Sequence, residues 1–259
     1  MQVHRNYPHF YVFFPHVIGI SCILPLGALL FCELWSVLAD FKASTATTCD
    51  RKIRETAVWN FLPSISEATG RLTPQRYVWQ ICIALHCTPR FLIALGYRSV
   101  HRGLFPRSGA LARFAHLSRA SYLLHMTEIC ALIGLSIISS SENYEIHKFC
   151  FITFMLCATL HMLSMCVLYG PGLRAVQFGV DETEERSLRL KQILTFVNIT
   201  TFVVAMYFFY RHNTYCEDGV YSLFALCEIV VVVTNIAFHS TAMLDFNKSH
   251  VVLQDGIGR

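Results

Sequence analysis

The sequence predicts an all-α polytopic membrane protein, a six-transmembrane helical bundle with one loop packed over an end. Three observations carry that prediction. Hydrophobic residues make up 54% of the 259 and charged residues only 15%, where soluble domains hold about 25% charged. The mean hydropathy is +0.46. The apolar residues also gather into six stretches near the roughly 20 residues that a helix needs to cross a bilayer.

The first stretch, about 17–39, is long and lacks a small-residue cleavage site, so it reads as an uncleaved anchor. The second, about 77–97, opens with Tyr77 and Trp79, an aromatic pair suited to a membrane interface, and runs through "LHCTPRF" (85–91). The third, fourth, fifth and sixth fall at about 118–139, 149–169, 191–210 and 221–244. Ahead of the fifth, "DETEERSLRLK" (181–191) places four acids before Arg and Lys and reads as a solvated helical turn. The 40–76 connection contains "STATTC" and "NFLPSISEATG" and is expected to fold over one mouth of the bundle. No repeat or second domain interrupts this pattern. A single bundle to residue 246 and a tail at 247–259 are expected.

Basic residues orient the bundle. With the N-terminus cytosolic, the cytosolic segments hold twelve Lys and Arg, including Lys191, and the opposite side holds eight. The 98–119 loop alone has five Arg and no acid, so both termini are expected on the cytosolic side. The Asn247-Lys248-Ser249 sequon should then stay unglycosylated. The net charge of +4 suits an anionic membrane face and gives no case for nucleic acid. Most of the eleven Cys fall within spans; Cys49 and Cys216 lie in loops on one side, where a disulfide between them is expected.

Polar side chains then stand out against the apolar background. In the second span His86 and Arg90 are i,i+4 neighbours on one helical face, beside Pro89. The third span has His125 and Glu128, the fourth His161, the fifth Asn198, and the sixth Glu228, Asn235 and His239. A charged Arg near the bilayer centre costs about 2.5–3.5 kcal/mol on insertion scales, so it should face protein or a wet cavity. Five helices offering polar groups at compatible depths predict one internal cluster. Such a cluster can serve as interhelical glue. It can also hold a general base and an oxyanion donor for acyl transfer, ligate a metal, or line a headgroup's path. No H-E-x-x-H or histidine box is present, so no metal is expected. Outside the spans, Arg211 and His212 of "YRHNTYCEDGVY" (210–221) sit where a phosphate headgroup would lie. The plainer reading there is snorkelling to ordinary phospholipid.

The blocks "LPSISEATG", "PQRYVWQICIALHCTPRFLIAL", "SSSENYEIH", "YRHNTYCEDGVY" and "VTNIAFHSTAMLDF" together resemble the post-GPI-attachment-to-proteins factor 2 family. The likeness runs in order from the first span to about Phe246 and fails mainly in the 98–119 and 171–190 loops. The positions that match are His86, Pro89, Arg90, Glu128, His161, Arg211, His212, Asn213, Cys216, Asn235 and His239. Glu228 matches in type and place, whereas His125 departs from the pattern.

The resemblance implies a multi-span Golgi protein of glycosylphosphatidylinositol (GPI) anchor remodelling, in which a saturated acyl chain is installed on lyso-GPI. The endoplasmic reticulum is the second compartment considered. On the chemistry of the residues, His86, Arg90, Glu128, His161, Glu228 and His239 are the expected catalytic set, with His161 or His86 as base and Arg90 near the developing oxyanion. Arg211, His212, Asn213 and Asn235 are the expected substrate contacts. No bound cofactor is expected; acyl-CoA or a phospholipid would donate the chain. The expected partners are lyso-GPI-anchored proteins, membrane lipids and other remodelling enzymes. A non-catalytic lipid handler, presenting lyso-GPI to a separate acyltransferase, is the alternative.

Overall fold

The computed structural model describes residues 10–47, 58–176, 179 and 181–253. Six long helices dominate it: α1 (Phe14–Leu38), α2 (Gln75–Leu104), α3 (Ala112–Ile137), α4 (Tyr144–Val167), α5 (Glu182–Tyr215) and α6 (Val220–Ser240). At about 1.5 Å per residue even the shortest exceeds the roughly 30 Å of hydrocarbon. All six are apolar enough to cross a membrane. Each packs against its neighbour in sequence, and α6 also meets α1, so the helices close into a ring with one interior.

The helices outrun the apolar stretches that announce them. Hydropathy marks the part of a helix that needs lipid, while the hydrogen-bond ladder continues into water. The acidic run at 181–191 is therefore no separate turn but the start of α5. Asp181 and Glu184 form a reciprocal capping box there, with Glu182, Glu184 and Glu185 against the positive end of the helix dipole. At its far end α5 absorbs Arg211 through Tyr215 and stops where Cys216 turns left-handed (φ 51°). Cys216 is disulfide-bonded; its expected partner, Cys49, lies outside the described residues.

One end of the ring carries a cap, as the 40–76 connection led us to expect. The extended 58–64 segment is fastened to the start of α6 by backbone donors. Trp59 N–H donates to Asp218 Oδ1 (2.7 Å) and Gly219 N–H to the Trp59 carbonyl (2.7 Å). Ser222 Oγ accepts from Phe61 N–H (2.8 Å) and Leu62 N–H (3.0 Å), and Glu228 Oε2 accepts from Ile65 N–H (2.9 Å). A short helix, Ile65–Gly70, follows, capped by Ser64. Burial there raises the Glu67 carboxyl above its ordinary value. On the rim, Arg76 donates to Glu142 (2.6 Å) and holds that carboxyl below its ordinary value.

The termini meet at the other end. Phe10–Phe13 pairs antiparallel with His250–Leu253, so part of the expected tail is a strand. Two four-residue strands are too short to be read from sequence. Below this ribbon lies a buried ion pair. Lys191, which the loop count treats as a solvated cation, is fully buried and donates to Asp245 Oδ2 (2.6 Å) and Ser187 Oγ (2.6 Å). Ser187 Oγ–H and Tyr97 O–H both donate to the same carboxylate at 2.5 Å. The Tyr169 ring lies 4.4 Å from the ammonium. The group joins α2, α5 and the short Ala242–Asp245 helix.

Breaking a buried pair from one side leaves an uncompensated charge, at about 3–5 kcal/mol, whereas removing both partners can be neutral. Thermal unfolding of purified protein in detergent should therefore show Lys191→Met and Asp245→Leu each destabilised by about that much. The double variant should recover most of the loss. A double variant no better than the singles would refute this role for the pair.

Candidate functional site

The site begins with a missing hydrogen bond. Pro25 lies inside α1 and has no N–H to give to the carbonyl four residues earlier, that of Ser21. His86 of α2 takes the vacated place, its Nδ1 2.5 Å from the Ser21 oxygen. A carbonyl only accepts, so Nδ1 carries the proton and Nε2 is the nitrogen with the free lone pair. Arg90, one turn along, brings Nη1 to 3.5 Å from Nε2.

Arg90 is 1% exposed, and its charge is met by Glu128 of α3, which is fully buried. Arg90 Nη2 donates to Glu128 Oε1 at 2.7 Å. His239 Nε2 and Asn235 Nδ2 of α6 approach the same oxygen at 2.9 and 3.4 Å. Nη2 also lies 2.5 Å from His239 Nε2. One nitrogen cannot both donate to Glu128 and accept from Arg90. The carboxylate only accepts and the guanidinium only donates, so each neutral tautomer of His239 satisfies one of the two contacts and not the other. Two atoms of this set stay unpartnered among the described residues, Arg90 Nε and Glu128 Oε2.

Two more rings, His125 and His161, complete the layer by stacking with His239. His125 lies 4.5 Å from His161 and 4.9 Å from His239, centroid to centroid, and His161 lies 5.7 Å from His239. The interplanar angles are 30°, 22° and 9°. His161 Nδ1 contacts the Ser121 carbonyl (3.1 Å) and hydroxyl (3.0 Å) of α3. His125 Nε2 is buried without a partner among the described residues.

A cavity of about 90 Å³ reaches this layer from the cap end. Ser66, Thr69 and His147 line its outer part, mainly aromatic and aliphatic side chains its length, and His86, Arg90 and Asn235 its inner wall. On the opposite side of the layer, a void of about 10 Å³ touches His125 and His161, with Arg98, His101 and Tyr122 beyond them.

The structure thus brings together His86, Arg90, Glu128, His161, Asn235 and His239. Glu228 stands apart on the cavity's outer wall, where it anchors the cap. Arg211, His212 and Asn213 do not line the cavity. Arg211 is paired with Glu217 and stacks near Tyr207 and Tyr215; His212 is buried against Tyr221; Asn213 bonds the Phe209 carbonyl. Asn198 is separate too, tying α5 to α6 through the Val231 carbonyl and Thr234 (2.8 Å each).

Two side chains read differently from the sequence. Trp79 is no interfacial anchor but lines the cavity, while Tyr77 beside it is exposed. His125 is central, stacked between His161 and His239; its i,i+3 spacing to Glu128 is the sequence signal for it. Glu33 of α1 was missed altogether, a buried acid with neither oxygen partnered among the described residues.

The family described as Frag1/DRAM/Sfk1/Cwh43P N-terminal domain matches residues 13–249. "Acyltransferase PGAP2" of Xenopus tropicalis is 42% identical over 231 residues, covering 89% of this chain and 86% of the relative. "Post-GPI attachment to proteins factor 2" of Drosophila melanogaster is 39% identical over 233 residues, 90% and 86% of the two chains. The protein of that name in Caenorhabditis elegans is 36% identical over 243 residues, 92% and 88%. No solved structure matches the chain.

Glu128 and Glu228 should differ in what they hold. Glu128→Gln strands the Arg90 cation and should lower stability by about 3–5 kcal/mol. Glu228→Gln weakens one bond to a backbone N–H, worth about 1.5–3 kcal/mol. Thermal unfolding of the two variants side by side checks the order, and the reverse order would refute these roles.

Proposed function

The chain belongs to the Frag1/DRAM/Sfk1/Cwh43P N-terminal domain family, among relatives named for post-GPI attachment to proteins; from that membership we propose that it is the acyltransferase that restores a saturated chain to lyso-GPI. The observation that carries this reading is the apolar cavity that ends on the His86–Arg90 pair. A fatty chain can lie along the apolar wall, bringing its carbonyl to the polar layer.

In the proposed step the lyso-glycerol hydroxyl attacks that carbonyl while His86 Nε2 takes its proton. His86 is better placed for this than His161, which does not line the larger cavity. Arg90, whose Nε has no partner among the described residues, faces the developing oxyanion. Collapse of the tetrahedral intermediate breaks the donor's acyl bond, and the His86 proton passes to the leaving group. That group is a thiolate from acyl-CoA or an alkoxide from a phospholipid. Glu128 and His239 hold Arg90 in position, and Asn235 borders the substrate.

For Arg211 to bind the anchor's phosphate, it would have to exchange the Glu217 carboxylate for it, with His212 and Asn213 beside it on α5. We place the protein in the Golgi membrane, as the family resemblance implies, with both termini cytosolic, on the excess of basic residues at that end. The alternative is a carrier that presents lyso-GPI to a separate enzyme, using the same cavity.

Purified protein in lipid nanodiscs, given lyso-GPI and isotope-labelled stearoyl-CoA or labelled phospholipid, should form reacylated product detectable by mass spectrometry. His86→Asn keeps a donor for the Ser21 carbonyl and removes the base, so activity should fall about 10²–10⁴-fold in a folded protein. Lyso-GPI binding without product from either donor would favour the carrier. Full activity in His86→Asn would move the base elsewhere. The termini are checked by a peptide N-glycosidase, which should leave the mobility of cell-expressed protein unchanged; a shift traced to Asn247 would reverse the orientation.

A further inference from the structure

We propose that His125, His161 and His239 form a binding site for a divalent transition metal, of the kind that takes zinc. The proposal stands independently of the acyl-transfer reading. One ligand nitrogen from each residue lies within 4.8 Å of the others, and all three residues are buried. Tetrahedral Zn–N bonds of about 2.0–2.1 Å put such nitrogens about 3.4 Å apart, so the set must draw in by about 1.4 Å. Imidazoles held through one edge can close that gap by small ring rotations.

The contacts behind the rings point the same way. Metal-bound histidines ordinarily give their other N–H to a carbonyl or carboxylate, which fixes the tautomer and aims the lone pair. His161 does this through Nδ1 to the Ser121 carbonyl, and His239 does so in the tautomer whose Nε2–H meets Glu128, 2.9 Å away, rather than accepting from Arg90. In that arrangement the lone pairs fall on His161 Nε2 and His239 Nδ1, neither hydrogen-bonded among the described residues. His125 Nε2 is the third, a buried nitrogen without a partner. An unsatisfied polar atom costs about 1–3 kcal/mol. Three neutral rings merely stacked would leave that cost standing, and a shared cation removes it.

The void beside His125 and His161 is about 10 Å³, close to the space one water requires. It leaves a fourth position for a small ligand. Glu128 is already offset by Arg90, so three neutral imidazoles leave the cation's charge uncompensated. The fourth ligand should therefore be anionic, such as hydroxide. An all-nitrogen set favours zinc, cobalt, nickel or copper over magnesium and calcium.

The test uses full-length protein purified in detergent from zinc-supplemented cells, with metal content measured by mass spectrometry. Wild type should hold about one zinc per chain and His116→Ala, at an exposed histidine, the same; His125→Ala and His161→Ala should fall about tenfold. Chelator-treated wild type titrated with Co²⁺ should show the visible absorption of tetrahedral cobalt, saturating at one equivalent. That arm does not depend on any variant folding. Zinc-free wild type that gives no cobalt absorption, or zinc retained equally in the histidine variants, would overturn the site.

Discussion

A guanidinium in the middle of a bilayer has few tolerable arrangements, and the bundle's interior is organised around one of them. Arg90 cannot shed its proton, so it needs an anion and as many acceptors as packing allows. Glu128 supplies the anion from α3. The same carboxylate draws His239 and Asn235 from α6. Three side chains from two helices thus converge on a single oxygen of a third. Lipid gives helices little hydrophobic reason to prefer one register over another, so small residues and polar contacts must set it. Here the charge does so, because sliding α2, α3 or α6 by one residue would separate it from its partner.

Lys191 and Asp245 repeat the device nearer the termini, tying α5 to the segment after α6. Two buried pairs at different depths constrain both the translation and the tilt of the helices they join. The cap fixes the remaining end by hydrogen bonds from Trp59, Phe61, Leu62 and Ile65 to the start of α6. Between these fastenings the ring interior can remain partly unfilled. A cavity of about 90 Å³ in a water-soluble core would carry a stability penalty that a bundle held by charges and caps can absorb.

How much of this the sequence disclosed follows from which physical signals are local. Length and apolarity identify a spanning helix within one stretch of chain, so all six were legible. Their polar ends were not, because α5 from Glu182 and α2 to Leu104 continue where hydropathy has already fallen. The polar layer was legible in outline: His86, Arg90, Glu128, His161 and Asn235 read at matching depths. Asn198, read at the same depth, lies outside the layer, and His239, read nearer the cytosolic end, lies within it. The layer's pairing was not legible, since depth says nothing of azimuth around a ring of six helices. Trp79 shows the limit clearly, as an aromatic near a membrane surface looks the same in sequence whether it faces lipid or a cavity. Lys191 shows another, because a partner 54 residues away, Asp245, decides whether it is a solvated cation or a buried one.

The link between Pro25 and His86 explains why a helix breaker belongs in the first span. A proline there weakens α1 by removing a bond, yet the carbonyl it frees becomes the one acceptor that orients an imidazole on the next helix. An imidazole so held has its proton on Nδ1 and presents the Nε2 lone pair to the cavity side. That tautomer is the one a general base for an alcohol needs. Had the carbonyl come from an intact helical turn, it would already carry a bond and offer His86 a weaker hold. The polar layer also has space on both sides, the larger cavity toward the cap and the smaller void toward Arg98 and His101. A reaction between a lipid in one leaflet and a donor from the other side needs its reacting atoms near the midplane, and that is the depth at which the two buried charges of α2 and α3 hold this layer.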